Sequence, residues 1–155
     1  MKSRGFTIIE MLIVIAIIAA LVGIALPRLR SMQSEGDYAK VAGELRTLQA
    51  AVESYYVHNS RTYPSQSTTV STAWQSALTG ATPQIIASTL DDPFKAGTEY
   101  RYATSAATNS TYYVIFSVGP DGAAGITGIN SSGAVQGTVG DDRYVSNGTN
   151  PSSGF

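Results

Sequence analysis

The chain has no cysteine and only one histidine in 155 residues, and 14% of its residues are charged. Without cysteine there is neither a thiol nucleophile nor a disulfide. The lone histidine, His58, falls at the end of a long helical pattern, where the helix C-terminus and solvent account for it. No nucleophile, base and orienting group come together in the sequence as an enzyme requires. The cations Lys95, Arg101 and Arg143 are scattered among more numerous acids. No basic stripe marks a nucleic-acid surface, and no nucleic-acid partner is expected. Low charge, Ser/Thr-rich loops and 15 glycines suit a domain that packs against copies of itself.

What the chain does have is concentrated at its start. Lys2 and Arg4 precede Gly5-Phe6-Thr7-Ile8-Ile9-Glu10, and from Met11 to Leu26 no charged or strongly polar side chain occurs. About 20 apolar residues at ~1.5 Å rise each cross the ~30 Å hydrocarbon layer of a bilayer. Lys2 and Arg4 assign the preceding side to the cytoplasm, so the rest of the chain lies outside it. Glu10 is the anomaly: a carboxylate inside a lipid-embedded helix is expensive and marks a functional position. A secretory signal peptide would have a shorter apolar region ending in a small-residue cleavage site. The Ala19-Ala20 pair imitates such a site, but the apolar run continues past it. A plain anchor accounts for the length and leaves Glu10 unexplained.

The order of basic leader, Gly5, Phe6, Glu10 and apolar run resembles the processing segment of type IV pilins and type II secretion pseudopilins. The resemblance implies that a prepilin peptidase removes residues 1–5 by cutting Gly5–Phe6, and that its methyltransferase activity modifies the Phe6 amine. It implies an assembly role for Glu10, which would pair with the Phe6 amine of a neighbouring subunit. Pro27 is similar to the family's helix proline.

Beyond Pro27 the helical period continues. Tyr38, Val41, Leu45, Leu48, Val52 and Tyr55 follow at spacings of three and four, one face of an amphipathic helix. One helix is expected from about Phe6 to Tyr56, roughly 75 Å long at ~1.5 Å per residue. Pro27, Gly36 and Gly43 are its weak points. The leader is set at 1–5, a membrane and polymerisation segment at 6–30, and a head at 31–155. In the head, a short helix is expected over Ser71–Leu78, capped by Ser71 or Thr72, with Trp74 and Leu78 on its buried face. Asp91-Asp92-Pro93-Phe94 reads as a turn. Strands are expected at Thr98–Ala103 and Tyr112–Val118, where Tyr112, Val114, Phe116 and Val118 share a face. A small hairpin is expected around Ser132-Gly133, and a short strand at Arg143–Val145. The tail Asn147–Phe155 reads as disordered or loosely docked. With no disulfide, another constraint must hold the C-terminal loops. Asn109, Asn130 and Asn147 fall in glycosylation sequons, which Ser/Thr-rich loops also produce by chance.

The remaining pattern is acidic. Ser117-Val118-Gly119-Pro120-Asp121-Gly122 and Gly140-Asp141-Asp142 bracket a glycine-rich segment. Carboxylates with loop carbonyls are the oxygen donors calcium prefers. Asp-Gly turn chemistry with a solvated Asp-Asp pair explains the same residues, and both readings stand. The Asp-Pro-Phe turn, the Glu99–Tyr102 strand and the Ser117–Gly122 loop are similar to the head of the major, G-type pseudopilin. That resemblance implies calcium bound by Asp121 and either Asp141 or Asp142, with Ser117 supplying a carbonyl. The segment between Asp121 and Asp141 is longer than the family loop.

The expected fold is therefore α+β and pilin-like: a long N-terminal helix packed on a small antiparallel sheet. The implied function is a non-enzymatic filament subunit of a type II secretion system. The alternative is a type IV pilus major pilin serving adhesion, motility or DNA uptake. The implied partners are other copies of the chain, prepilin peptidase, minor pilins, the inner-membrane assembly machinery and the membrane itself. The subunit would cross the inner membrane once before assembly, then join a periplasmic or cell-surface filament.

Overall fold

The computed structural model describes residues 6–150 and 152–153. The chain divides into two compact units, one ending at Gly36 and the other starting at Asp37. Helix α1 runs Ile8–His58, two residues later at each end than the periodicity predicts. In the first unit, all 19 residues of Ile8–Leu26 are unburied, and this stretch is long and apolar enough to cross a membrane. Pro27 lies within the helical run.

In the second unit the predicted stripe is the buried one. Val41, Leu45, Leu48 and Val52 are fully buried, while Tyr38 and Tyr55 at its ends are half-buried. The helix stops without a glycine: Ser60 and Arg61 adopt left-handed φ of 53° and 60°. Arg61 N–H closes the last turn on Tyr56 C=O at 3.0 Å. The His58 ring bonds Ser54 C=O at 2.8 Å.

The main sheet has strands β1 (Arg101–Thr104), β2 (Tyr113–Ser117), β5 (Arg143–Ser146) and β6 (Ser152–Ser153), in that order and antiparallel throughout. The other two, β3 (Ile126–Ile129) and β4 (Val135–Gly137), form a separate hairpin around the predicted turn. The unit has three layers. Tyr102, Tyr113, Ile115 and Val145 pack with the helix stripe, Trp74 and Leu78. Ala103, Val114, Phe116 and Tyr144, on the opposite face, pack with Ile126 and Ile129 of the hairpin. Val114 and Phe116 thus share a face as predicted. Every residue of β2 is nevertheless buried, because both faces are covered.

Two local expectations are corrected. The helix expected over Ser71–Leu78 is only α2, Ser76–Thr79, and its N-cap residue Gln75 makes no side-chain cap bond. Ser71 instead exchanges both backbone hydrogen bonds with Tyr102, at 2.8 and 3.0 Å, extending the sheet beside β1. Trp74 and Leu78 are both fully buried as expected. Trp74 Nε1–H donates to Tyr100 C=O at 2.7 Å, and its ring stacks on Tyr102. The tail is not loose over its described part. β6 pairs with β5, and Thr149 N–H and Oγ1–H both donate to Gly133 C=O.

Candidate functional site

Two regions carry the sequence-predicted site residues. The first is the helix start. Phe6 is 71% exposed. Thr7 caps the helix: its Oγ1 accepts the Glu10 N–H at 3.3 Å. The Thr7-Ile8-Ile9-Glu10 spacing is that of a capping box, a signal legible in the sequence but overlooked beside the charge of Glu10. The Glu10 side chain is exposed on an apolar helix. Gly5 lies outside the described residues.

The second region is the acidic loop after β2. Carboxylates hold much of its backbone. Asp92, 2% exposed, accepts from Val118 N–H at 2.9 Å and from Ser117 Oγ–H at 2.8 Å. The Asp141 carboxylate accepts from Asp121 N–H at 3.2 Å. Asp121 in turn accepts from Ala123 N–H at 2.7 Å. Asp142, 1% exposed, takes both Gly125 N–H and Ile126 N–H on one oxygen at 2.9 Å. Lys95 Nζ donates to Gly122 C=O at 3.3 Å. Gly119 has φ +67°, and a Cβ there would lie 2.6–2.7 Å from Asp141 O and Oδ2, so only glycine lets the two segments close. These bonds are the constraint that stands where a disulfide is missing.

The cluster is electrostatically strained. Burial pushes the Asp142 carboxyl above the usual aspartate range, the two amide hydrogen bonds pull it back, and the charges of Asp141 and Asp121 raise it further. The structure thus brings Asp141 and Asp121 close enough to Asp142 to disfavour its charge. Ser117 stands at the end of β2, opposite Arg143 in the ladder. Among the described residues, no group of three or more His, Cys, Asp or Glu is placed to hold a metal ion. A cation on this loop must therefore find most of its donors on the backbone. The donor chemistry is oxygen throughout, which suits a hard cation.

Sequence reasoning missed how the helix is pinned to the sheet. Tyr100 O–H donates to Glu44 at 2.6 Å and Tyr113 O–H to Glu53 at 2.8 Å. Burial, then the bonded glutamates, push both phenols far above their ordinary range. Tyr63 is pushed up to about 12, by burial first and then by Glu53 and Tyr56. Two sequon asparagines are structural. Asn130 Oδ1 caps its own hairpin turn, and Asn147 ties Tyr113 N–H to Tyr63 O–H and Thr111 C=O.

Comparisons with known proteins agree with this anatomy. Residues 28–133 match the family model for type II secretion system (T2SS), protein G, and residues 1–26 match the prokaryotic N-terminal methylation motif. A type II secretion system core protein G of Dickeya chrysanthemi is 27% identical over 127 residues, covering 78% of this chain and 80% of that protein. The Klebsiella pneumoniae core protein G is 36% identical over 63 residues, covering 41% of this chain and 44% of that protein. A type IV major alpha-pilin of Moraxella bovis is 45% identical over 51 residues, covering 33% of this chain and 32% of that protein. The chain thus spans less than half the length of the Klebsiella relative it matches. No solved structure matches the chain.

Proposed function

The chain belongs to the type II secretion system protein G family, and on that premise we propose that it is the major subunit of a secretion pseudopilus. The subunit crosses the inner membrane once, and prepilin peptidase cuts Gly5–Phe6 and methylates the new Phe6 amine. Copies then polymerise through their N-terminal helices into a periplasmic filament that supports protein export, with minor pilins and inner-membrane components as assembly partners. The observation that carries this reading is a wholly unburied 19-residue apolar helix bearing Glu10, in a chain whose residues 28–133 fit the protein G family.

Glu10 is the assembly contact. Its charge is costly in lipid and is relieved when a neighbour's Phe6 amine comes beside it. Calcium is the proposed ligand of the acidic loop, where it would neutralise repelling carboxylates and cross-link two loop segments. Asp121 and Asp141 would hold it, with Ser117 and its neighbours offering carbonyls. Asp141 is favoured over Asp142 because its half-buried carboxylate reaches the Asp121 backbone, whereas Asp142 is 1% exposed and one of its oxygens already holds Gly125 and Ile126.

The test is genetic. A strain lacking this gene should retain its exported proteins in the periplasm. Wild type should restore export. Glu10→Ala should insert in the membrane normally yet restore less than a tenth of the export. Intact export together with loss of surface fibres would overturn the proposal in favour of a type IV pilus subunit, the role that the pilin relatives' names suggest.

A further inference from the structure

The turn at residues 92–98 is built around Asp92 and reaches across to the acidic loop. Asp92 N–H donates to Thr98 C=O at 2.8 Å, and Asp92 C=O accepts from Lys95 N–H at 2.9 Å. The Asp92 carboxylate takes a third donor from its own turn, Phe94 N–H at 3.0 Å on Oδ1. Its other two donors, Ser117 Oγ–H and Val118 N–H, are 25 and 26 residues away. Ser117 Oγ then accepts from Gly119 N–H at 3.4 Å. From the same turn Lys95 grips Gly122 C=O.

A carboxylate that is 2% exposed is tolerated only when its lone pairs are filled. Here both oxygens are filled, and two of the three donors belong to the start of the acidic loop. A local turn needs only the Phe94 bond. The long-range pair does something more: it holds Ser117, Val118 and Gly119 at the point where β2 becomes the loop. Asparagine cannot substitute, because it has one acceptor oxygen and would point its amide N–H at Val118 N–H in one orientation or at Phe94 N–H in the other.

We propose that Asp92 is the positioning residue of the 117–122 loop: its buried carboxylate, acting through Ser117 and Val118, sets the loop backbone in the arrangement that takes up a divalent cation. The cation part rests on the calcium reading above; the positioning part does not. Asp92 itself is not a ligand: it is 2% exposed, and its carboxylate already takes three donors from the chain.

The experiment uses the full chain in detergent micelles. Calcium is titrated calorimetrically, and amide exchange is measured in chelator. Wild type should bind calcium. Asp92→Asn should weaken calcium affinity at least tenfold and speed exchange at Val118 and Gly119 at least tenfold. Gly125 and Ile126, held by Asp142, should stay protected. Ser117→Ala should shift both readouts in the same direction by less, and it serves in place of Asp92→Asn if that variant does not fold. Uniformly faster exchange, or unchanged exchange at Val118 and Gly119, would overturn the positioning role. Unchanged calcium affinity in Asp92→Asn would overturn its link to the cation. Localised exchange in a chain whose wild type takes no calcium would uphold positioning and overturn the calcium reading.

Discussion

Single carboxylates make several of the long-range contacts in this head, and each does it differently. Glu44 and Glu53 lie off the apolar stripe of α1, where a helical wheel marks them as solvated. Each instead accepts a phenol from a fully buried tyrosine of the sheet layer. Asp92 and Asp142 are spent on backbone amides. Glu99 is the sensitive member of the group. Burial raises its pKa above the ordinary 4.5, a hydrogen bond to the Gln75 backbone opposes the shift, and Asp91 adds to it. The folded state therefore binds the Glu99 proton more tightly than the unfolded chain does. The stability this confers is full below the ordinary value and lost as pH rises through the raised one. We expect the melting temperature in chelator to climb on acidification across that interval, and Glu99→Gln to flatten the climb. An unchanged pH profile in Glu99→Gln would show that Glu99 does not titrate on folding.

Among the elements, helix α1 was legible and the sheet only half so. The three- and four-residue spacing of Val41, Leu45, Leu48 and Val52 states which face is buried, and a helix carries that information locally. Burial of β2 on both faces is not a local property. Its second cover, the β3–β4 hairpin, lies further along the chain and is recognisable only as a turn at Ser132-Gly133. The misread helix at Ser71 has the same cause. Trp74 and Leu78 have helical spacing, but the backbone of Ser71 is claimed by Tyr102, 31 residues later. Leu48 tests the helix–sheet layer. It is fully buried, and Leu48→Ala removes methyl groups from a packed core. We expect a loss of about 2–5 kcal/mol, read by denaturant unfolding through Trp74 fluorescence. Ala50→Ser, on the exposed face, should stay within about 0.5 kcal/mol of wild type. A loss below about 1 kcal/mol for Leu48→Ala would mean that this layer does not hold the head together.

For the whole molecule, the sequence was most eloquent where its chemistry is most unusual. A basic leader, a glycine, an aromatic residue and a lone acid before an apolar run rarely coincide by chance, and the methylation motif at residues 1–26 agrees. The acidic loop was legible as a cluster but not in its division of labour. Asp121, Asp141 and Asp142 look alike in sequence, and only hydrogen bonds separate Asp142, which holds Gly125 and Ile126, from Asp141, which holds the Asp121 backbone, and Asp121, which holds Ala123. The anchoring role of Asp92 was hidden for the same reason.

The central claim is that this chain is processed and assembled as a filament subunit through its N-terminal helix. The most direct measurement is mass spectrometry of the subunit from isolated filaments of the native host. The account predicts a chain that begins at Phe6 and carries one N-methyl group. A chain that retains Met1, or one that begins near Leu21 as a signal-peptide cut would leave it, would contradict it.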